Sequence, residues 1–151
     1  MSEMNRRQFV IATVSTVCAC AMADVCSAAG PTSTATTIDI GTPADYAKDG
    51  VADKWSKTDK FFVVRNEGKL YAPSAICTHK RNTLRVKEGQ IYCASHGSKF
   101  SVMGVPTKGP AKSPLYRYAI TKDTKGHLIV DKTKQFDEKD WDKADAFLKL
   151  D

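Results

Sequence analysis

The apolar residues beyond position 36 fall in short runs rather than in long helical repeats. Residues 37–40 alternate polar and apolar side chains, and residues 61–65 are aromatic and β-branched, a composition typical of strands. Residues 66–69 carry turn formers, and the apolar pattern resumes at 70–72. Because a turn between two such runs favours an antiparallel pair, this stretch predicts a hairpin across 61–72.

The same pattern continues toward the C-terminus. Residues 90–93 predict a further strand, and residues 116–120 and 127–130 flank a turn at 123–126, which predicts a second hairpin. Residues 104–114 contain three prolines and two glycines, so this stretch is predicted to be a loop. The fold class predicted from these runs is all-β.

The tail departs from the strand pattern. Its apolar side chains fall at roughly helical spacing, at Phe136, Trp141, Ala144, Phe147 and Leu148. This spacing predicts a short amphipathic helix within residues 136–150. We expect the helix to pack on the sheet, with docking to a partner protein as the alternative.

The first residues have the pattern of an export signal. Arg6 and Arg7 precede Phe9, and an apolar run extends to Ala23. Paired arginines before such a run are typical of a twin-arginine (Tat) signal. The run is shorter than the roughly 20 residues of a membrane span. The prediction is a periplasmic or otherwise exported protein, and the alternative is an uncleaved leader that anchors it to the membrane.

These features divide the chain into three parts. Residues 1–29 are predicted to be the Tat signal peptide, residues 30–36 a small polar linker, and residues 37–151 the folded domain.

The net charge is +6, with lysines scattered among Asp and Glu and no interleaved aromatics. We therefore expect no nucleic-acid partner, and a mildly basic surface that can steer docking with an acidic partner.

The cysteines and histidines carry the chemistry. Three of the five cysteines lie in the leader, which leaves Cys77 and Cys93 for the domain, and two of the three histidines, His79 and His96, lie beside them. The pattern is Cys-x-His, thirteen residues, then Cys-x-x-His. The third histidine, His127, follows a turn at a strand edge and is predicted to be a surface residue.

This pattern resembles the Rieske ferredoxin family. The resemblance extends through Gly97, Ser98 and Phe100 and through Gly-Pro-Ala at 109–111, and it covers about residues 37–130. It implies an antiparallel β-sandwich with a small cluster-binding subdomain and one Rieske-type [2Fe–2S] cluster. Such clusters carry two imidazoles in place of two thiolates, which raises the reduction potential.

The resemblance also assigns roles. It implies that Cys77 and Cys93 bind the buried iron and that His79 and His96 bind the outer iron near the surface. The residues expected around the cluster are Gly97, Ser98, Phe100 and Pro110. Ser98 matches a serine that, in high-potential members, donates a hydrogen bond to a bridging sulfide.

The chain also departs from that family. Rieske proteins of cytochrome bc complexes carry a disulfide at the positions of Asn82 and Ser95. Members commonly have glycine at the position of Arg81, and high-potential members have tyrosine at the position of Phe100. Because a disulfide and a hydrogen-bond donor are missing, we expect an intermediate to low potential within the Rieske range of about −150 to +300 mV.

The predicted function is a one-electron carrier whose partner is another redox protein. The alternative is the Rieske subunit of a larger exported oxidoreductase, of the arsenite-oxidase or cytochrome bc kind. The sequence shows no second metal-binding set of two histidines and a carboxylate, which argues against a self-contained oxygenase. It also offers no candidate residue for substrate chemistry. A structural zinc module with the same four ligands and a Cys77–Cys93 disulfide remain the other interpretations of the motif.

Overall fold

The computed structural model describes residues 36–150, which form eleven strands and two short 3-10 helices. The 3-10 helices span Pro43–Tyr46 and Glu138–Asp140. In chain order the strands are β1 (Thr37–Gly41), β2 (Gly50–Ala52), β3 (Val63–Asn66), β4 (Lys69–Pro73), β5 (Arg85–Lys87), β6 (Gln90–Tyr92), β7 (Lys99–Phe100), β8 (Pro106–Lys108), β9 (Arg117–Lys122), β10 (Leu128–Phe136) and β11 (Leu148–Lys149).

Two antiparallel sheets contain all of these strands. Seven form the large sheet in the order β1-β10-β9-β4-β3-β2, with β11 paired to β4. The other four form the small sheet in chain order, β5-β6-β7-β8. The all-β prediction is confirmed, and so are both predicted hairpins, as β3–β4 and β9–β10.

The strand β3 and the residues before it are buried on both faces. Phe61 and Val63 belong to one apolar core, and Phe62 and Val64 belong to a second core on the opposite face. This division follows from the two-residue period of a strand. The second core joins the small sheet to the large one; its buried members are Phe62, Val64, Tyr71, Ala75, Cys77, Leu84, Ile91, Cys93, Phe100, Ala111 and Leu115.

The predicted tail helix is wrong. Strand β10 runs on to Phe136, a single 3-10 turn follows, and the chain then returns as β11, where Leu148 pairs with Leu70 of β4. The apolar side chains of the tail reach separate sites instead of one helical face. Trp141 stacks on Arg117, and Phe147 packs on Tyr71 with ring centroids 6.1 Å apart.

Tertiary contacts therefore outweigh the helical spacing. The tail also contains Asp137, Asp140, Asp142 and Asp145, and aspartate favours caps and turns over helix interiors. The tail does pack on the sheet, as expected, but through a strand and a 3-10 turn instead of a helix.

Among residues 36–150, no helix is long and apolar enough to cross a membrane. The predicted signal at 1–29 lies outside the described residues.

His127 lies at the surface, as predicted, and pairs with a carboxylate. Its Nδ1 lies 2.7 Å from Oδ2 of Asp39 on β1. The hydrogen bond to Asp39, and then the charge of that carboxylate, raise the pKa of His127. The Gly41 N–H, which donates to the Asp39 carboxylate, and then the His127 ring lower the pKa of Asp39.

Because of this pair, the stability of the protein should fall both as the pH rises and as it becomes strongly acidic. The contribution of His127 is complete below its unfolded pKa of about 6.5 and is lost as the pH rises through the raised folded value. The contribution of Asp39 is complete above about 4 and is lost as the pH falls through the lowered folded value. An NMR titration should place the pKa of His127 above that of an unfolded histidine. Asp39→Asn should lower it, and an unchanged pKa in that variant would contradict the pairing.

Candidate metal centre

Two loops bring the predicted ligands together. The first loop joins β4 to β5 and carries Cys77 and His79, and the second joins β6 to β7 and carries Cys93 and His96. The two histidine rings lie edge to face, with centroids 5.0 Å apart and an interplanar angle of 88°. Two ligand pairs that are separated by thirteen residues in the chain therefore share one end of the small sheet.

The four side chains differ in depth. Cys77 and Cys93 are 1% and 0% exposed, whereas His79 and His96 are exposed. Both cysteines are free thiols, so the interpretation of the motif as a Cys77–Cys93 disulfide is not supported. The site has a buried sulfur side and an imidazole side that faces outward.

Backbone hydrogen bonds shape the first loop around its cysteine. The Cys77 N–H donates to the Asn82 carbonyl at 2.8 Å, and the Arg81 N–H donates to the Cys77 carbonyl at 2.9 Å. At the base of the loop the Leu84 N–H donates to the Ala75 carbonyl at 2.7 Å. Main-chain bonds thus close this loop without a disulfide.

The second loop repeats the arrangement. The Cys93 N–H donates to the Ser98 carbonyl at 2.8 Å, and the Gly97 N–H donates to the Cys93 carbonyl at 3.0 Å. Gly97 therefore occupies the position that Arg81 occupies in the first loop, four residues after the cysteine. Both residues have left-handed backbones, with φ of +72° at Gly97 and +55° at Arg81. The loop geometry requires this conformation, and only the second loop has a glycine to adopt it.

Arg81→Gly is expected to stabilise the protein by about 0.5–1 kcal/mol. A side chain in the left-handed region costs about 1–2 kcal/mol, and the extra freedom of glycine in the unfolded chain returns about half of that. Urea unfolding of the full chain measures the difference. A destabilised variant would show that Arg81 makes contacts that outweigh its backbone strain.

The matched change, Gly97→Ala, tests the same conformation in the opposite direction. A Cβ at Gly97 would meet no atom within 4 Å, so steric clashes do not contribute. We expect a loss of about 1 kcal/mol in the free energy of unfolding, caused by the backbone alone. Equal effects of both substitutions, in the same direction, would contradict the equivalence of the two loops.

The proline-rich segment covers both loops. The Ala111 N–H donates to Ser98 Oγ at 3.1 Å, and Thr78 Oγ1 donates to the Ser113 carbonyl at 2.7 Å. Ser98 is fully buried, and its hydroxyl proton has no protein acceptor in the described part of the chain. Because that oxygen already accepts from Ala111, its proton is available to a buried acceptor such as sulfur.

Pro110 and Phe100 complete the surroundings that were predicted. Pro110 is exposed and directly precedes Ala111, so it belongs to the covering segment. Phe100 is fully buried in the same apolar core as Cys77 and Cys93. The ring therefore belongs to the buried sulfur side of the site and brings no hydroxyl there.

Sequence reasoning missed Arg117, which packs on Tyr71 of the core that also contains both cysteines. Arg117, 3% exposed, places its Cζ 4.4 Å from the ring centroid of Tyr71 and 3.8 Å from that of Trp141. Its Nη2 donates to the Met103 carbonyl at 3.1 Å. Burial lowers the pKa of Arg117 to about 10, which leaves the guanidinium charged at neutral pH. The sequence feature that could have indicated a buried arginine is the position of Arg117 within the apolar run at 115–120.

The donor set fits a binuclear cluster. Within residues 36–150, no three Cys, His, Asp or Glu side chains converge to hold one metal ion. A [2Fe–2S] cluster does not need such convergence, because each iron takes only two protein ligands. The buried free thiols, the adjacent outer imidazoles and the free Ser98 proton match what that group requires.

The similarity of this chain to known proteins also indicates a [2Fe–2S] cluster. Residues 36–121 match the family model described as the Rieske [2Fe–2S] domain. The cytochrome b6-f complex iron-sulfur subunit of Chlorobaculum tepidum is 38% identical over 74 residues, which are 48% of this chain and 40% of that subunit. The subunit of the same description from Chlorobaculum thiosulfatiphilum is 37% identical over 62 residues, which are 40% of this chain and 34% of that subunit.

Two proteins of known structure are similar to part of this chain. The cyanobacterial plasma membrane Rieske protein PetC3 from Synechocystis PCC 6803 is 29% identical, with a TM-score of 0.48 over 62% of this chain and 97% of that one. The ferredoxin of carbazole 1,9a-dioxygenase from Nocardioides aromaticivorans IC177 is 26% identical, with a TM-score of 0.40 over 62% and 95% of the two chains.

Proposed function

Because this chain belongs to the Rieske [2Fe–2S] domain family, we propose that it is an exported one-electron carrier. The proposed ligands are Cys77 and Cys93 on an inner iron and His79 and His96 on an outer iron. The observation that carries the assignment is the pairing of two buried free thiols with two exposed imidazole rings 5.0 Å apart. The chain spans at most about two fifths of the length of the curated relatives it matches.

The protein residues account for the side of the site through which electrons would be exchanged. When bound, the cluster accepts and releases one electron at a time. The core around Cys77 and Cys93 keeps water from the sulfur side, whereas His79 and His96 face outward. A partner that contacts the imidazoles therefore gains the shortest path to the metal. The hydrogen-bonded loops would hold the four proposed ligands in place while a bound cluster changes oxidation state.

Electron paramagnetic resonance of the dithionite-reduced full chain tests the proposal. We expect a signal characteristic of mixed nitrogen and sulfur ligation, with two irons and two acid-labile sulfides per chain. Zinc without a paramagnetic signal would favour the structural zinc module and would refute the carrier.

The reduction potential should be intermediate to low for this family. Phe100 lacks a hydroxyl to donate to a cysteine sulfur, and no disulfide joins the loops at Asn82 and Ser95. A donor to ligand sulfur stabilises the reduced cluster more than the oxidised one, because the reduced cluster carries more negative charge. Voltammetry giving a potential near the top of the range of about −150 to +300 mV would contradict this expectation.

Phe100→Tyr is expected to raise the potential by several tens of millivolts. A hydrogen bond to a charged group contributes about 1.5–3 kcal/mol, and each 1 kcal/mol of difference between the two redox states corresponds to about 40 mV for one electron. Phe147→Tyr is the control, since Phe147 only borders the same core and packs on Tyr71. An unchanged potential in Phe100→Tyr would mean that position 100 does not face a cysteine sulfur.

Export and partner identity extend the proposal. The paired arginines at 6 and 7 before an apolar run support export by the Tat route, with a retained membrane anchor as the alternative. Two relatives are described as subunits of a cytochrome b6-f complex, which supports a role in a larger redox assembly as the second candidate. Affinity purification from solubilised membranes that recovers a large catalytic chain would favour the subunit over the free carrier.

A further inference from the structure

Positive and negative side chains are distributed unequally along this chain. Residues 74–117, which contain both ligand loops and the covering segment, have one carboxylate, that of Glu88. The rest of the chain has sixteen carboxylates against fifteen lysines and arginines. The cations within 74–117 are Lys80, Arg81, Arg85, Lys87, Lys99, Lys108, Lys112 and Arg117. The scatter of lysines among Asp and Glu therefore does not extend to residues 74–117.

Most of this positive charge faces solvent without a counter-charge. Seven of the eight cations are exposed, and only Arg117 is buried. Within the described part of the chain, none of those seven lies within 4.0 Å of a carboxylate. Exposed charges that lack nearby opposite charges keep their field, which extends into solvent for about a Debye length.

Several of these cations border the histidine pair. Lys80 and Arg81 directly follow His79 in the first loop. Lys112 lies between Ala111 and Ser113, the two residues through which the covering segment is bonded to both loops. We name the set formed by Lys80, Arg81, Lys99, Lys108 and Lys112 the basic rim.

The small sheet places two rim lysines against each other. Lys99 of β7 is paired with Lys108 of β8, and both are exposed. Like charges directly opposite on adjacent strands destabilise a sheet. An anionic surface that binds here would relieve this repulsion, which adds to its attraction by the rim.

We propose that the basic rim is the docking surface for an acidic face of the redox partner protein. This inference rests on the proposed function, because the rim includes Lys80 and Arg81, which directly follow His79, one of the histidines through which the electron would pass. A protein partner is favoured over nucleic acid because Val105 and Tyr116 are the exposed large hydrophobic side chains of the described residues. One exposed aromatic does not make the stacking platform that single strands use.

Small redox reagents of opposite charge test the field at the histidines. The reduced holoprotein is mixed with anionic hexacyanoferrate(III) or with cationic tris(phenanthroline)cobalt(III), and the cluster absorbance is followed. The rate constant with the anion should fall about tenfold as salt rises from about 10 mM to about 1 M, where the Debye length shrinks from about 30 Å to about 3 Å. The rate constant with the cation should rise over the same range.

Charge reversal locates the effect. The double variant Lys80→Glu/Lys112→Glu should slow the anionic reagent about tenfold at low salt. The control, Lys48→Glu/Lys125→Glu, changes the net charge equally at exposed positions outside residues 74–117. It should stay within about twofold of the wild-type rate. Equal effects of the two variants would overturn the proposal, because total charge and not the rim would then govern the rate.

A binding measurement separates this proposal from the proposed function. Fluorescence anisotropy of a labelled oligoglutamate peptide requires no cluster, so it tests the rim even in a chain that fails to hold iron. Low-salt binding that the rim variant loses and the control retains supports the proposal, and absence of binding overturns it. Binding of duplex DNA that persists at about 0.15 M salt and is lost in the rim variant would assign the surface to nucleic acid and would also overturn it.

Discussion

Cys93→Ala is expected to lower the bound iron and labile sulfide of the full chain more than about tenfold, since loss of mere supporting contacts already weakens metal binding by about 10–100-fold. Cys93 is fully buried and free, and it is one of two thiols on the sulfur side of the site. Without it, the proposed inner iron would keep a single protein ligand. The paramagnetic signal of the reduced protein should disappear with the iron.

A pair of histidine variants supplies the matched control. His96→Ala removes an exposed ring that lies 5.0 Å from that of His79, so it should also remove the cluster. His127→Ala removes a histidine that pairs with Asp39 on β1, so it should leave iron content unchanged. Iron retained in both Cys93→Ala and His96→Ala would refute the ligand assignment. Equal loss in all three variants would indicate a general folding defect.

Arg117→Ala is expected to destabilise the protein by about 3 kcal/mol. Two desolvated cation–π contacts contribute about 2 kcal/mol each, the charged bond to the Met103 carbonyl contributes about 1.5–3 kcal/mol, and relief of the desolvation of a buried cation offsets part of the total. For a domain of this size, the change should lower Tm by about 12 °C. Thermal unfolding followed by circular dichroism measures it.

Two further variants identify the cause. Arg85→Ala removes an exposed arginine of β5 and should change stability by no more than about 0.5 kcal/mol. Arg117→Lys keeps the charge but loses the planar group that stacks between Tyr71 and Trp141, so it should recover little of the loss. Full recovery by lysine would show that charge alone matters at this position.

The Arg117 stack also links the tail to the site. Trp141 comes from the C-terminal segment, Tyr71 from β4, and Met103 from the loop after β7 that precedes the covering segment. Trp141, which lies far from the proposed ligands in the chain, thus contacts the arginine that also packs on Tyr71 of the cysteine-containing core. We therefore expect Arg117→Ala to broaden or shift the cluster signal as well as to lower Tm.

The local features of this protein could be predicted from its amino-acid sequence. Residues 61–72 predicted the β3–β4 hairpin because strand alternation and turn chemistry depend on neighbouring residues. The spacing of Cys77, His79, Cys93 and His96 predicted a metal centre for the same reason, and the fold places all four in two adjacent loops. Their role as cluster ligands stays a prediction until iron analysis is done.

The features that depend on distant partners could not be predicted, because they follow from contacts made in the folded protein. The tail from Phe136 to Leu150 has helical spacing, yet its apolar side chains pack on β4 and Arg117 and form no α-helix. Arg81 lies in the left-handed region because backbone bonds to Cys77 close its loop. Lys112 lies beside both ligand loops because the covering segment on either side of it is bonded to them. Each outcome depends on contacts between residues far apart in the chain, and local pattern carries no information about them.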